Sequence, residues 1–410
     1  MPETPPPGAE PLDPVPAPRV LLAGGGTAGH VNPLLATAAA LRDPALGGRE
    51  ETGILVLGTA EGLEADLVPE AGFDMAVVPR VPMPRRPTGD LFMLPRRLSR
   101  AVGAAGEAIE AVDAQVVVGF GGYVSTPAYL AARRAGVPVV IHEQNARPGL
   151  ANRLGASWAA AVALTFASTP LRSSKGRTEV TGLPLRPAIG ELVARLAEPD
   201  GAAAVRRSGA AALGLDPQAP TVLITGGSLG AQRLNEVLAA ALPSLSPDLQ
   251  VLHLTGRDKD GPVRAAVEAA VADGADPGLA ERYHVLDYLV AMEQAYACAD
   301  GVICRSGAGT VAELTALGLP ALYVPLPIGN GEQRLNAADV VAAGGGRLVA
   351  DARLTAADVV DFTALLTRPA ERRAMAAAAA STGVRDGARR LADLIRTVAR
   401  EGSPSPRRKA

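Results

Sequence analysis

The chain has 410 residues, of which 48% are hydrophobic and 20% charged, a composition typical of a soluble globular protein with room for two domains. A net charge of −2 does not point to a nucleic-acid partner, and any basic function must be local. Cys298 and Cys304 are the only cysteines, which excludes a disulfide framework and a cysteine-based zinc site and predicts a reduced, cytoplasmic setting. We expect neither a signal peptide nor a membrane-spanning segment.

The first half of the chain alternates between strand and helix patterns. Residues 1–18 contain eight prolines and are expected to form a disordered tail outside the fold. Helical patterns at Pro33–Arg42 and Arg97–Ala111 separate short apolar runs, and the alanine-rich stretch 156–168 is expected to be a packed helix. The candidate strands lie near residues 20–23, 54–58, 115–119 and 137–141. This rhythm predicts a parallel, doubly wound sheet that ends near an interdomain linker at residues 181–187.

A glycine-rich turn follows the first candidate strand and opens a helix. Gly25, Gly26 and Gly29 leave room for a ligand to approach the backbone, and His30 stands at the helix start. An imidazole there could act as a general base, because its ordinary pKa lies near neutrality and the helix N-terminus keeps the ring neutral. A histidine that belongs only to a tight turn is the alternative.

Two further polar segments follow strands of the first half. Gly119–Ser125 is another glycine-rich turn, and His142-Glu143-Gln144-Asn145 places four polar residues in succession at a strand end. Because parallel sheets bind ligands at the carboxyl ends of their strands, both segments are expected to converge on the cleft side with the first turn. His142 could equally be a hydrogen-bonded structural residue.

Residues 80–100 carry a local excess of positive charge around an apolar centre. Asp90 is the one acidic residue there, and the apolar centre is Leu91–Leu94. The surrounding arginines are Arg80, Arg85, Arg86, Arg96, Arg97 and Arg100. A basic rim around apolar side chains favours an anionic bilayer surface, although an ordinary loop and helix start covering the core could have the same composition.

The same rhythm restarts in the second half of the chain. The candidate strands there lie near residues 221–225, 249–254, 301–304 and 320–324. The alanine- and glycine-rich stretch 197–212 that precedes them is expected to be a loop or a frayed helix. Apolar residues recur at helical spacing between Ala388 and Val398, which predicts an amphipathic helix near the C-terminus.

Two strand-to-helix turns of the second half suit an anionic ligand. Val222–Ala231 repeats the glycine pattern of the first turn, and Cys304–Glu313 offers free N–H groups at a helix start to a phosphate. Glu313 is placed to reach a ribose hydroxyl, although alone it would be an ordinary solvated helix residue. Gln333 and Asn336 are three positions apart on a helix, so both amides can share a face that suits sugar hydroxyls.

Together these motifs resemble the MurG family of UDP-N-acetylglucosamine transferases. The resemblance covers nearly the whole chain and rests on six segments in the family's order and spacing. These are Gly25–His30, Gly121–Ser125, His142–Asn145, Gly226–Ser228, Cys304–Ala308 and Glu332–Asn336. The resemblance implies an α/β GT-B fold of two Rossmann-like domains. Residues 19–184 would bind the acceptor and residues 185–380 the donor. A helix at 381–400 would cross back to the first domain, and a basic tail would follow at 401–410.

The resemblance also implies a function. It implies an inverting transfer of N-acetylglucosamine from UDP-N-acetylglucosamine to the C4 hydroxyl of the muramyl sugar in lipid I, which forms lipid II in peptidoglycan synthesis. No cofactor or protein-bound metal is expected. The expected partners are UDP-N-acetylglucosamine, lipid I, an anionic membrane surface on the cytoplasmic face of the plasma membrane, and cell-wall and division proteins. The alternatives are another GT-B enzyme, either a soluble-acceptor glycosyltransferase or a UDP-N-acetylglucosamine epimerase, and a silent UDP-N-acetylglucosamine-binding scaffold.

Site residues follow from the same resemblance, with His30 implied as the catalytic base. The implied donor-binding residues are Arg186, Gly227, Ser228, Leu289, Ala308, Gly309, Thr310, Glu313, Gln333 and Asn336. The implied acceptor-binding residues are Gly26, Thr27, Ala28, Gly29, Tyr123, Ser125, His142 and Asn145. The implied membrane-facing residues are Arg85, Arg86, Leu91, Phe92, Leu94, Arg96 and Arg97.

Overall fold

The structure, a computed structural model, describes residues 17–81, 90–227, 232–274 and 276–402, and the side chains of residues 90–93 are outside the described set. The described residues form two sheets, one in each half of the chain, and the strands of both pair in parallel. Parallel sheets are covered by helices on both faces, which requires strands that are apolar throughout. Leu21 and Leu22, neighbours that point to opposite faces of the first strand, are accordingly both fully buried.

Seven strands build the first sheet. They are β1 (Arg19–Ala23), β2 (Gly53–Gly58), β3 (Asp74–Val77), β4 (Val116–Gly119), β5 (Val139–Glu143), β6 (Ala161–Leu164) and β7 (Arg177–Val180). Their order is β3-β2-β1-β4-β5-β6-β7, and Val20 of β1 pairs with Ile54 on one side and Val116 on the other. The winding direction reverses between β1 and β4, and the carboxyl ends of strands at such a switch point form the crevice in which ligands bind.

The helices of this half lie between those strands. They are α1 (Ala28–Arg42), α2 (Glu64–Glu70), α3 (Asp90–Ala111), α4 (Ser125–Ala135) and α5 (Leu150–Gly155), with a 3₁₀ turn at Pro44–Leu46. Among the described residues, no helix is both long and apolar enough to cross a bilayer.

The second sheet repeats the arrangement with six strands. They are β8 (Thr221–Thr225), β9 (Gln250–Leu254), β10 (Tyr283–Leu286), β11 (Gly301–Cys304), β12 (Ala321–Tyr323) and β13 (Gly346–Leu348), in the order β10-β9-β8-β11-β12-β13. Its helices are α6 (Pro187–Leu196), α7 (Gly201–Leu213), α8 (Gln232–Ala241), α9 (Gly261–Ala272), α10 (Leu279–Arg282), α11 (Met292–Cys298), α12 (Ala308–Leu317), α13 (Glu332–Asn336), α14 (Ala338–Ala342), α15 (Ala356–Leu366), α16 (Pro369–Ser381) and α17 (Gly387–Gly402). Further 3₁₀ turns lie at Leu242–Ser244 and Asp351–Arg353. The reversal between β8 and β11 makes a second switch point at which a ligand can bind.

Two expectations about alanine-rich segments are wrong. The stretch 156–168, expected as a helix, contains strand β6, whose residues are all buried between β5 and β7. The stretch 197–212, expected as a loop or frayed helix, is mostly the regular helix α7. Small residues serve close packing there, because a Cβ atom on Gly209 would lie 2.8 Å from the Gln294 carbonyl oxygen. Packing partners, which the sequence does not display, decide the structure of both segments.

The C-terminal helix α17 packs on the first sheet although it follows the second. Leu391, Ile395 and Val398 are buried in one cluster with Val20 and Val116. These positions repeat at helical spacing, so one apolar face of the helix is covered by the first domain. The molecule therefore consists of two doubly wound domains with a crossing C-terminal helix, as the sequence predicts.

Candidate active site

The carboxyl ends of the two sheets meet across a cleft. Asn336, at the end of α13, accepts a hydrogen bond from the Ala146 N–H (2.8 Å) and donates one to the Asn145 side-chain oxygen (3.3 Å). Arg147 in the same first-domain loop donates to the Asn330 carbonyl oxygen. The structure thus brings together Asn145, expected to bind the acceptor, and Asn336, expected to bind the donor.

The first glycine turn determines the state of the His30 ring. Nδ1 lies 3.1 Å from the Gly25 carbonyl oxygen and 3.1 Å from the Thr27 hydroxyl oxygen. A carbonyl oxygen can only accept, so Nδ1 carries the hydrogen in the neutral ring and Nε2 keeps the lone pair. Burial lowers the pKa of His30, while the Gly25 carbonyl and the charge of Glu64 act to raise it. His30 is therefore a neutral imidazole with a basic Nε2 at neutral pH.

The second glycine turn closes against this ring. Gly121 and Gly122 have φ angles of 91° and 80°, a region that favours glycine. A Cβ atom on Gly121 would lie 3.2 Å from His30 Nε2, and one on Gly122 would lie 2.7 Å from the Gly25 carbonyl oxygen. These two glycines let the turn approach the first one, and they place no side chain of their own beside Nε2.

The residues expected to bind the acceptor differ in accessibility. Gly26, Thr27, Ala28 and Gly29 are exposed in the turn before His30, and Tyr123 is 39% exposed beneath the Arg80 guanidinium.

By contrast, Ser125 and His142 are fully buried. The Ser125 hydroxyl bonds to the Ala23 and Gly121 backbone, and His142 Nε2 donates to the Gly182 carbonyl (3.0 Å). Burial lowers the pKa of His142 to about 4, so its ring is neutral. Both side chains shape the cleft from within the domain, and their contact with an acceptor stays a prediction.

A buried polar network supports the loop that carries Asn145. The Glu143 carboxylate accepts from the Asn145 and Gly149 N–H groups (3.0 Å each) and from the Asn152 amide (2.9 Å), whose oxygen accepts from the Tyr129 hydroxyl. Burial raises the pKa of Glu143 although these hydrogen bonds oppose it. Sequence reasoning missed Tyr129 and Asn152, because neither belongs to a motif and only the fold brings them together.

On the donor side, Glu313 of α12 joins Arg186, the residue before α6, to Tyr296 of α11. It is buried, accepts from Arg186 Nε (2.8 Å) and accepts from the Tyr296 hydroxyl (3.0 Å). Burial would lower the pKa of Arg186, but the hydrogen bond and charge of Glu313 raise it. Tyr296 was not identified from the sequence, since a tyrosine in an apolar helix pattern is an ordinary core residue.

The turn into α12 has the form of an anion site. Its helix begins after Gly307, and Cβ atoms on Gly307 and Gly309 would meet nothing within 4 Å, so the approach to the backbone is open. The Ser306 hydroxyl is buried and has no hydrogen-bond partner within the described ranges. Ala308 and Thr310 are partly exposed beside it. Free N–H groups at a helix start attract a phosphate.

The remaining residues expected to bind the donor have other surroundings, and one lies outside the described part of the chain. Gln333 accepts from the Leu326 N–H (2.9 Å), and Leu289 is half-buried beside Tyr288, which stacks under Arg257. Gly227 has a φ of 64° in the glycine-rich turn that follows β8. Ser228 is outside the described residues.

The residues expected to face a membrane are only partly described. Arg85 and Arg86 and the side chains of Leu91 and Phe92 lie outside the described set, and Leu94, Arg96 and Arg97 lie on α3, with Arg96 exposed.

Two exposed leucines of the first domain are not among the residues expected from the sequence to face a membrane. Leu150 and Leu154, one turn apart on α5, are 72% and 46% exposed. An isolated leucine pair in a short helix gives no signal in the sequence.

Both halves of the chain match known proteins. Models of the glycosyltransferase family 28 N-terminal and C-terminal domains match residues 20–164 and 221–391. Two curated proteins named UDP-N-acetylglucosamine--N-acetylmuramyl-(pentapeptide) pyrophosphoryl-undecaprenol N-acetylglucosamine transferase are similar over most of their length. The one from Clavibacter michiganensis subsp. michiganensis is 50% identical over 392 residues, covering 95% of this chain and 99% of the relative. The one from Bifidobacterium longum is 52% identical over 346 residues, covering 82% of this chain and 86% of the relative.

A solved structure agrees with these sequence relatives. The crystal structure of Acinetobacter baumannii MurG superposes with a TM-score of 0.71 at 27% identity, covering 93% of this chain and 99% of that one. Within the described ranges, no group of three or more histidine, cysteine, aspartate or glutamate side chains is arranged to hold a metal ion.

Proposed function

The chain belongs to the MurG family of glycosyltransferase family 28, and we propose that it transfers N-acetylglucosamine from UDP-N-acetylglucosamine to the muramyl sugar of lipid I, forming lipid II. The observation that supports this reaction most directly is the hydrogen bond between Asn145 and Asn336. This hydrogen bond joins a residue of the first domain that is expected to bind the acceptor substrate to a residue of the second domain that is expected to bind the sugar donor. A transferase needs its two substrates side by side in this way.

His30 is the base in the proposed reaction. Its Nε2 takes the proton of the muramyl C4 hydroxyl while that oxygen attacks C1 of N-acetylglucosamine. The C1–O bond to the β-phosphate breaks, UDP leaves with the bonding electrons, and the configuration at C1 inverts. The tautomer held by the Gly25 carbonyl supports this role, because it leaves Nε2 free to accept a proton.

The leaving UDP gathers negative charge that the second domain can stabilise. The N–H groups at the start of α12 and the guanidinium of Arg186 are the groups proposed to meet the diphosphate, with Glu313 at the ribose. Leu289 would hold the uracil through its backbone, and Gln333 and Asn336 the sugar. These steps use only groups of the chain and the two substrates.

We place the protein at a membrane surface through its first domain. Helices α3 and α5 both pack on α4, and they carry the exposed Arg96 and the exposed leucines Leu150 and Leu154 respectively. Exposed leucines beside arginines suit an anionic bilayer, where a lipid-linked acceptor is found. The cytoplasmic face of the plasma membrane is the proposed location. Association with cell-wall and division proteins stays a prediction.

The proposal is tested by measuring the release of UDP from UDP-N-acetylglucosamine by the purified protein, with and without a short-chain lipid I analogue. The sugar product is identified by mass spectrometry. We expect release that requires the acceptor and yields a disaccharide-lipid. Sugar conversion without acceptor would indicate an epimerase, and donor binding without turnover, under conditions in which a family member is active, would indicate a silent scaffold.

A further inference from the structure

A buried carboxylate that no motif predicts stands behind the first glycine turn. Glu64, the first residue of α2, is fully buried. Its Oε2 accepts from the Gly26 N–H (2.8 Å), and its Oε1 accepts from the N–H (2.9 Å) and the hydroxyl (2.7 Å) of Thr59. Burying a carboxylate is costly unless its oxygens are hydrogen-bonded in this way. A group with such a cost and such complete bonding calls for a functional reason.

Three glycines form the space that the carboxylate occupies. A Cβ atom on Gly25, Gly58 or Gly62 would overlap the Glu64 side chain. Two of these glycines come from β2 and the loop after it, and Gly25 comes from the turn after β1. The site is therefore built to hold a carboxylate against the Gly25–Gly26 peptide.

That peptide connects Glu64 to His30. Its N–H, on Gly26, donates to the Glu64 carboxylate, and its carbonyl, on Gly25, accepts from His30 Nδ1–H (3.1 Å). The two hydrogen bonds use opposite ends of one peptide group. A carboxylate on the N–H side polarises the peptide and makes its carbonyl oxygen a stronger acceptor.

We infer that Glu64 is a positioning residue for the transfer reaction. Through the Gly25–Gly26 peptide, Glu64 holds the His30 ring in its reactive tautomer. It also stabilises the imidazolium that forms when Nε2 takes the acceptor proton. The inference rests on the proposed role of His30 as base. Glu64 touches neither substrate, and it acts on the base as a carboxylate does in a catalytic triad, but with one peptide group in between.

The charges around the ring agree with this arrangement. Burial would raise the pKa of Glu64, but the hydrogen bonds from Gly26 and Thr59 outweigh burial and lower the pKa, so the group is ionised at neutral pH. On the other side of His30, the ring faces Gly121 and then the Asn152 amide, which is bonded to Glu143. Of the described charged groups, Glu64 is the one whose field raises the pKa of His30.

The test compares Glu64→Gln with Glu70→Gln, the same change at an exposed position of α2. Two quantities are measured: the acid limb of kcat/KM against pH, and the titration of His30 by NMR of labelled imidazoles in the free enzyme. We expect Glu64→Gln to move both to lower pH by about half a unit or more, because the charge that raises the His30 pKa is lost. We also expect a loss of kcat of about tenfold or more, with UDP affinity within twofold of wild type.

The variant Thr59→Val tests whether the charge of Glu64, and not the packing around it, determines the His30 titration. It removes one hydrogen bond to the carboxylate but keeps its charge, so the His30 titration should stay near that of wild type. If Glu64→Gln does not fold, Glu64→Asp must shift the titration in the same direction by a smaller amount.

Each result has a distinct meaning. A His30 titration that is unmoved in the folded Glu64 variant overturns the inference. A shifted titration with unchanged turnover shows that Glu64 affects the His30 pKa but overturns its role in the transfer reaction, whereas the role of His30 as base is tested separately by His30→Ala.

Discussion

At the residue scale, one carbonyl oxygen determines which ring nitrogen of His30 carries the lone pair. The Gly25 oxygen accepts from Nδ1, so the lone pair is left on Nε2 beside the Gly121 turn. From the sequence we expect the helix N-terminus to keep the ring neutral, whereas in the structure burial is the largest cause that lowers the His30 pKa. The ring is therefore neutral at physiological pH, and its role as a base stays a proposal.

The first prediction concerns the loss of that base. We expect His30→Ala to lower kcat by about 10²–10⁴-fold, the usual contribution of a general base, and to leave the Kd of UDP within twofold. Steady-state kinetics and calorimetric titration with UDP measure the two effects. His284→Ala, on the edge strand β10, is the matched control and should turn over normally. Turnover of His30→Ala within threefold of wild type would remove His30 as the base.

Another histidine, His253, makes stability depend on pH. Its Nε2–H donates to the Asn235 oxygen (2.9 Å), its Nδ1 accepts from the Tyr283 hydroxyl (2.8 Å), and it is fully buried. Burial lowers its pKa to about 3, whereas the unfolded chain has the ordinary value of 6.5. The unfolded state therefore binds more protons between these values, and stability falls as pH falls from 6.5 toward 3.

We expect His253→Gln to flatten this dependence. When the unfolded state binds one proton more than the folded state, the free energy of unfolding changes by about 1.4 kcal/mol per pH unit. Between pH 6 and pH 4.5, the slope of the free energy of unfolding against pH should therefore be smaller in the variant by about this value. Urea denaturation at several pH values measures the slope for both proteins. His142, whose ring is also buried and neutral, contributes equally to both and cancels in the comparison. Parallel curves for variant and wild type would contradict the prediction.

At the scale of elements, α17 joins the C-terminus to the first domain. Its apolar face is buried against β1 and β4, and Arg177 of β7 pairs with Glu401 near its end (2.6 Å). The exposed ion pair contributes little, so the apolar face provides most of the attachment. The sequence displays this face as a repeat of leucine, isoleucine and valine, but does not display which domain it covers.

Truncation of that face tests its contribution. We expect Ile395→Ala to lower the free energy of unfolding by about 2–5 kcal/mol, because Ile395 is fully buried and its loss leaves a cavity. Arg400→Ala, an exposed position on the same helix, should stay within about 0.5 kcal/mol of wild type. Urea midpoints of the three proteins compare them, and equal midpoints for both variants would show that α17 adds no stability.

At the scale of the whole molecule, the two domains meet at the candidate site. The loop after β5 and helix α13 are in contact through Asn145, Ala146 and Asn336, which would bring substrates held by the two domains together in the proposed reaction. Closing such a cleft excludes water, which limits hydrolysis of the donor. The proposed membrane surface lies on the first domain, with the lipid-linked substrate.

Vesicle binding tests that orientation. We expect the double variant Leu150→Glu/Leu154→Glu to bind vesicles containing about one third anionic lipid at least tenfold more weakly, since each buried leucine is worth about 1.5–3 kcal/mol. Val180→Glu, an exposed valine on edge strand β7, is the control and should bind as wild type does. Co-sedimentation at low and high salt provides the measurement. Unchanged binding by the double variant would move the membrane contact elsewhere.

The sequence by itself determined the class of fold and the family. Apolar runs alternating with helical patterns produce parallel, doubly wound sheets because strands covered on both faces must be apolar throughout. The glycine turns and His30 stand at strand ends or helix starts, and Gln333 and Asn336 share one short helix, so local spacing was enough to single them out as candidates. The resemblance to the MurG family is confirmed by relatives at about 50% identity.

Only the tertiary structure shows which of those residues are buried and which groups they contact. It buries Ser125 and His142, joins Glu313 to Arg186, and places Glu64 behind the peptide that holds His30. Contacts between residues 38 positions apart in the chain, such as Gly26 and Glu64, have no local signature. They depend on the free energy of burying a charged group, which is acceptable only where distant segments supply its hydrogen bonds.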